Sequence, residues 1–295
     1  MDLELSAEQE AVRQLAAEFV AREVTPHAAT WDRHEAVDPG IVGKLGEVGF
    51  LGLTVAEEHG GSGGDHLSYC LVLEELGRGD SAVRGMVSVS LGLVAKSIAA
   101  HGTPAQRREI HGKLGLRGQA TAELVLDGVR VPDSARLGET GGGFRLALAT
   151  LAKGRMSVAA GCVGIAQGCL DAAVGYAGAR TQFGKPIAGH QLVQQMLAEI
   201  AVDTAAARLL VWRVADLIDR GEPFATEASM AKLFASEAAV RAANNAVQVF
   251  GGYGYIDEYP VGKYLRDARV ATLYEGTSQI QQLLIGRALT GVNAF

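Results

Sequence analysis

From Gly143 to the C-terminus the chain keeps helical periodicity, with unusually many Ala and other small residues and only short glycine-marked breaks. Small side chains let helix axes approach closely, so this half is confined to tightly packed helices. His190 to Arg220 sets Val193, Met196, Leu197, Ile200, Ala207, Val211, Val214 and Ile218 along one side, and Gly221 stops the run. The next helix is predicted from about Glu227 to Phe250, ending at Gly251-Gly252, where a C-terminal glycine belongs. The last begins at a capping box, Ser278 with Gln281, and is expected to carry Ile280, Leu283 and Leu284 inward. Five or more antiparallel helices joined by short loops make a bundle.

The N-terminal third repeats the theme. Ser6 and Gln9 form a capping box, after which Val12, Leu15, Ala16, Phe19 and Val20 recur with helical spacing. Asp38-Pro39-Gly40 breaks the chain before a short helix over Ile41 to Val48, and helical stretches follow near 66–79 and 81–113. The loop Gly60-Gly61-Ser62-Gly63-Gly64 lacks the Lys-Ser/Thr of a phosphate-binding loop and reads as a flexible turn. From Gly115 to Leu137 the character changes: Thr121 to Leu126 alternate, Asp127-Gly128 marks a turn, and Val129-Arg130-Val131 leads into Pro132. This predicts one small β-ribbon, which two strands cannot sustain without packing on helices or another chain. The expected fold class is therefore mainly α, a helical bundle with a small residual β-ribbon. Its expected divisions are an N-terminal helical domain over 1–112, the β segment over 113–137 and a C-terminal bundle over 138–295.

A net charge of −6, spread along the chain, argues against a nucleic-acid or anionic-membrane surface, which needs clustered Lys and Arg. Cys70, Cys162 and Cys169 are too few for a disulfide framework and have no His at metal-ligand spacing, so they read as buried apolar residues, with no metal site. The acidic start Met1-Asp2-Leu3-Glu4 and the lack of an uninterrupted apolar span predict a cytoplasmic protein without membrane insertion.

Three constellations carry possible chemistry. In Arg180-Thr181-Gln182-Phe183-Gly184-Lys185-Pro186-Ile187, Arg180 suits a diphosphate and Phe183 a base; the bland alternative is a solvated loop with Phe183 plugging the core. Gln248-Val249-Phe250-Gly251-Gly252-Tyr253-Gly254-Tyr255 permits close backbone approach to a ligand, or is a helix cap. Tyr274-Glu275-Gly276-Thr277-Ser278-Gln279-Ile280 puts a carboxylate just ahead of a helix N-terminus. Its unpaired N–H groups favour negative charge on Glu275 or on an enolate beside it; otherwise Glu275 is an acid near an N-cap.

In wording and order these motifs resemble the acyl-CoA dehydrogenases and their oxidase relatives. The resemblance runs through almost the whole chain. It begins at Phe50-Leu51-Gly52-Leu53, Glu57-Glu58-His59-Gly60-Gly61 and Leu73-Glu74-Glu75-Leu76-Gly77-Arg78. It continues through Leu114-Gly115-Leu116-Arg117, Gly154-Arg155 and Arg266-Asp267-Ala268. It implies helical domains flanking a β-domain, and extended FAD in a cleft completed by a neighbouring subunit of a homodimer or homotetramer. By that resemblance Arg180, Gln182 and Phe183 meet the diphosphate and adenosine, Gln248, Gly251 and Gly252 contribute from the other chain, and Thr277 and Gln279 also touch the cofactor. Glu275 matches the base that removes the pro-R α-proton of an acyl-CoA or acyl-carrier-protein thioester while hydride leaves the β-carbon, its own N–H polarising the carbonyl. Arg155, Tyr274, Gly276 and Arg287 match positions around the substrate.

The sequence departs from the family after Gln106-Arg107-Arg108-Glu109-Ile110. A Thr- and Gly-rich strand segment and a later Trp-Ile-Thr or Trp-Ile-Ser segment are missing, and with them groups that contact the isoalloxazine ring and CoA. The adenosine half of the site is thus expected to be kept and the reactive half opened, with FAD held weakly or not at all by the isolated chain. Desolvation around the base would suffer. Three readings follow: an FAD-dependent α,β-dehydrogenase closed by another subunit, loop or carrier protein; a non-redox enzyme using Glu275 for enolisation, isomerisation, cyclisation or elimination; or a non-catalytic subunit of a heteromeric dehydrogenase.

Overall fold

A computed structural model describes residues 4–90, 107–110, 113–119, 122–124, 130, 132–136 and 138–293. Ser6 caps α1 (Ala7–Phe19) by accepting from Gln9 N, and the Gln9 side chain accepts in return from Ser6 N, so the first capping box forms as the sequence predicts. A π-helical segment, Val20–Val24, leads into α2 (Thr25–His34), followed by α3 (Gly40–Glu47), α4 (His66–Gly79) and α5 (Ser81–Ser90). The C-terminal half consists of α6 (Gly143–Ala179), α7 (Gln191–Asp219), α8 (Ala225–Phe250), α9 (Val261–Ala271) and α10 (Ser278–Thr290).

The bundle is centred on α6, which packs against α8, α4 and α7, while α7 also packs on α8 and α1 on α4. Alanines fill the seam: Ala228, Ala231, Ala235, Ala239, Ala242 and Ala246 of α8 are all buried. At the α4–α6 crossing a Cβ on Gly164 would stand 2.0 Å from the Glu74 carbonyl oxygen, so only glycine permits this approach. Arg155 of α6 reaches Ser229 near the start of α8, and Tyr176 near the end of α6 stacks on Phe250 at the end of α8. These two helices therefore run in the same direction, with α7 returning between them.

By length and a mean hydropathy of 1.5, α6 qualifies as a membrane span, although no such span was expected from the sequence. In the fold 67% of that apolar window is buried inside the protein, the environment of a core helix. All three cysteines are free and buried, as expected, and burial pushes the Cys162 thiol up to about 11.

The β segment differs from expectation. Arg107–Ile110, predicted as the end of a helix, is strand β1, and it pairs antiparallel with β2 (Ala122–Leu124), Arg107 opposite Leu124. The ribbon thus closes backwards onto the upstream chain; Val129 and Val131, the predicted partner strand, lie outside the described residues, as does 91–106 of the predicted helix. Between the strands, 113–119 is fastened to α9: Leu116 N donates to Asp267 Oδ1 at 2.7 Å, and Lys263 bridges Asp267 at 2.6 Å and Asp80 at 3.0 Å. A second small hairpin, β3 (Thr181–Gln182) with β4 (Lys185–Pro186), joins α6 to α7.

The last helix also departs from the reading. Its cap is Thr277, whose Oγ1 accepts from Ile280 N, while Ser278 donates to Glu237 Oε1 at 2.5 Å. The register is one residue earlier than predicted, and it turns Ser278 and Gln281 inward, leaving Ile280 and Leu283 exposed. A polar contact to α8 and the needs of the Glu275 turn outweigh the apolar pattern.

Candidate active site

Glu275 lies in the turn between α9 and α10 with φ 53°, followed by Gly276 at φ 92°. A left-handed conformation at a residue with a Cβ costs roughly 1–2 kcal/mol, and the surroundings enforce it. Lys232, fully buried on α8, donates to the Gly276 carbonyl at 2.8 Å. Gln281 Nε2 donates to the carbonyls of Glu275 and Gly276 at 3.1 and 3.0 Å, and Arg155 Nε donates to that of Glu275 at 3.5 Å. With both carbonyls held, the Glu275 side chain projects onto α6, where a Cβ on Gly154 would stand 2.1 Å from Oε2. Gly154 is thus the floor on which the carboxylate rests.

Oε2 is buried and has no hydrogen-bond partner among the described residues. Burial accordingly raises the Glu275 carboxyl above the usual range, against the opposing charges of Arg84, Arg155 and Lys232. This reverses the expectation that the helix N-terminus would hold Glu275 ionised: the α10 amides are capped by Thr277, and the carboxylate points away into the protein. Burial also lowers the Lys232 ammonium and Arg155 guanidinium and raises the Tyr274 phenol.

Glu275 and Tyr274 line a cavity of about 470 Å³ whose apolar walls include Val158, Leu114, Leu116, Val270 and Leu273. Residues 113–116, where the chain resumes after the missing strand segments, form one of these walls. Its rim carries Lys113, Arg266 and Arg269, of which Arg266 is paired with Asp32 at 2.6 Å.

The other two motifs converge elsewhere. Arg180, Gln182 and Ile187 line one cleft of about 510 Å³ with Tyr176, Val249, Phe250, Gly251, Gly252 and Tyr253. The Arg180 guanidinium lies 5.5 Å from the centre of the Tyr253 ring. Phe183 is 92% exposed, with φ 52°, so it does not plug the core. Gly251 and Gly252 have open space where a Cβ would be. The sequence reading divided these motifs between two chains; the structure gathers them on one, because the parallel α6 and α8 bring Arg180 and Gly251 to the same end. Arg155 and Tyr176, which mark the two sites on α6, are separated by about 30 Å at 1.5 Å per residue.

Of the remaining candidates, Gln248, Gln279 and Arg287 are exposed, and Thr277 serves as the cap. Arg84, Lys232 and Gln281 were missed. The first two carried a signal, each a lone cation in an apolar helical run, whereas the sequence pattern assigns Gln281 to a capping box that does not form, the cap being Thr277 alone.

Residues 6–115 match the acyl-CoA dehydrogenase N-terminal domain and residues 141–290 the acyl-CoA dehydrogenase C-terminal domain. The chain belongs to the acyl-CoA dehydrogenase family. An acyl-CoA dehydrogenase of Bacillus subtilis (strain 168) is 33% identical over 377 aligned positions, covering 98% of this chain and 100% of that protein. Since this chain has only 295 residues, the relative carries an internal stretch with no counterpart here. The structure of butyryl-CoA dehydrogenase from Megasphaera elsdenii superposes with a TM-score of 0.92 at 30% identity, covering 98% of this chain and 100% of that one. A glutaryl-CoA dehydrogenase from Mycobacterium smegmatis in complex with FADH2 gives 0.91 at 25% identity, with 99% and 96% covered. Family and fold make this chain a mainly helical oxidoreductase of the acyl-CoA dehydrogenase, flavoprotein class; the non-redox and non-catalytic alternatives find no support among these relatives.

Proposed function

We propose that the chain is an FAD-dependent dehydrogenase of acyl-CoA thioesters in which Glu275 removes the α-proton. The observation that carries this reading is the Glu275 carboxylate on the wall of an apolar cavity, its Oε2 buried and without a hydrogen-bond partner among the described residues. Exclusion of water raises the proton affinity of the base toward that of the carbon acid it must deprotonate. The Glu275 N–H has no hydrogen-bond acceptor among the described residues, which suits a donor to the thioester carbonyl. Tyr274, Gly276 and Arg155 hold the base, and Arg269 on the rim and Arg287 on α10 suit the anionic CoA moiety.

The cleft under Arg180 supports FAD binding through its diphosphate and adenosine: a guanidinium for the phosphates, exposed Phe183 and Tyr255 for ring stacking, and Gly251 and Gly252 for close approach, with Gln182 and Gln248 as polar neighbours. Thr277 and Gln279 lie on the Glu275 side, where the flavin ring would sit. Bound FAD would supply the acceptor for the hydride leaving the β-carbon. About 30 Å of α6 separates the cleft from Glu275, so one extended cofactor touching both kinds of residue must do so across two chains. A homodimer, or a tetramer built from it, satisfies this by symmetry. The reading places the enzyme in the cytoplasm.

The test is the visible spectrum of protein incubated with FAD, freed of unbound cofactor and mixed anaerobically with short-chain acyl-CoAs. Bound flavin that bleaches on mixing is expected. Absence of bound flavin would defeat the reading for the assembled chain.

A further inference from the structure

Leu114 and Leu116 form an apolar wall of the Glu275 cavity, yet the ribbon β1–β2 on either side of them is too small to fix their position. What fixes it is α9. The Leu116 amide donates to Asp267 Oδ1 at 2.7 Å, with Leu116 itself buried and left-handed at φ 49°. A residue with a Cβ does not choose that conformation unaided, so the contact sets the backbone there. Gly115 lies flat on the same helix, where a Cβ would stand 2.2 Å from the Arg266 carbonyl oxygen and 2.7 Å from Asp267 N.

Asp267 is in turn held by a buried triad. Lys263, one turn earlier on α9, meets Asp267 Oδ2 at 2.6 Å and Asp80 Oδ2 at 3.0 Å, and Asp80 Oδ1 accepts from Ala82 N and Val83 N at the start of α5. Two carboxylates against one ammonium are costly to bury, and apolar side chains of similar volume would join α5 to α9 at least as well. An apolar side chain could not accept the Leu116 N–H. The same helix then runs into the turn that carries Glu275, so α9 holds both the base and this wall. We infer that Asp267 is a positioning residue, acting through the Leu116 backbone, that fixes the apolar wall of the acyl cavity relative to Glu275, with Lys263 and Asp80 holding its carboxylate in place. This rests on the dehydrogenase reading above and adds to it a device that makes affinity depend on acyl length.

Hydrogen exchange at the Leu116 amide tests the clasp, and KM for butanoyl-, pentanoyl- and hexanoyl-CoA on the FAD-loaded full chain tests what the clasp does. In the wild type the amide is expected to be protected, and each added methylene to lower KM by about fourfold, the return on burying one CH₂ against a fixed apolar wall. Asp267→Ala is expected to abolish the protection and flatten the dependence toward no gain per methylene, the change falling on KM more than on kcat. Asp267→Asn, which keeps an oxygen for the Leu116 amide, should restore most of both. If Asp267→Ala fails to fold, Gly115→Ala pushes the same wall off the Arg266 carbonyl with the ion pairs left in place, and should flatten the dependence alike. A chain-length dependence that survives loss of the clasp overturns the proposal and leaves Asp267 a purely structural residue. Free exchange of the Leu116 amide in the wild type overturns it equally. No turnover of any thioester by the wild type, with the amide protected, defeats the dehydrogenase reading and the positioning role with it.

Discussion

The cavity at Glu275 and the cleft under Arg180 are built on opposite ends of the same two helices, α6 and α8, yet their environments are opposite. At the first end Lys232, Gln281 and Arg155 hold a strained turn, and the carboxylate rests on Gly154 out of water. At the second, Phe183 and Tyr255 are each 92% exposed around two glycines with nothing facing them. On the proposed function, the proton-handling half would be complete within one chain, while the cofactor-gripping half would serve a site on a neighbour.

The contrast predicts unequal responses to substitution. Glu275→Gln is expected to lower turnover by about 10²–10⁴-fold, the usual contribution of a positioned base, with FAD affinity unchanged in a spectral titration. Gly154→Ala should follow. Its methyl group would displace the carboxylate, and a shift of about 1 Å costs on the order of 10²-fold in rate, with KM for the thioester moving far less than kcat. Arg180→Ala should act in the reverse sense, weakening FAD about 10-fold for the loss of charge-assisted bonds to phosphate while leaving the turnover of FAD-saturated enzyme nearly intact. Phe183→Ala should weaken FAD only a few-fold and leave the melting temperature of the FAD-free protein unmoved, because an exposed ring contributes little to the fold.

The raised Glu275 carboxyl makes a further distinction between the ends. A carboxyl whose folded pKa exceeds its unfolded value contributes stability that is fully present below the unfolded pKa and lost as pH rises through the folded one. Glu275→Gln removes that loss, so the variant should melt above the wild type at pH 8, by on the order of 1 kcal/mol, and the gap should close toward pH 4. Turnover of the wild type should rise through the same raised pKa. A variant less stable than wild type at pH 8 would mean that the cations around Glu275 hold its charge more strongly than burial opposes it.

The sequence made the bundle legible because its signals are local. The Ser6–Gln9 box, the apolar side of α7 and the glycines after α8 each act within a turn or two of helix. The β-ribbon was misread because alternation over Thr121 to Leu126 identifies a strand and says nothing of which neighbour it joins; its described partner is upstream, at Arg107–Ile110. The α10 register failed for a related reason. Ser278 and Thr277 both make good caps, and the choice was decided by Glu237, forty-one positions away in sequence. Glu275, Arg180 and Gly251 were legible as motifs, but that two of them share a cleft and the third stands about 30 Å off follows from the parallel course of α6 and α8, which no local pattern encodes.

On the proposed function, the Glu275 cavity and the Arg180 cleft of one chain serve different active sites. Co-expression of a Glu275→Gln chain with an Arg180→Ala chain, each nearly inactive alone at limiting FAD, tests it directly. If sites are shared across chains, mixed dimers regain one intact site of two, and activity should recover to about a quarter of wild type after random assembly. Activity no higher than the average of the two separate variants would contradict the account and place both regions in one site of one chain.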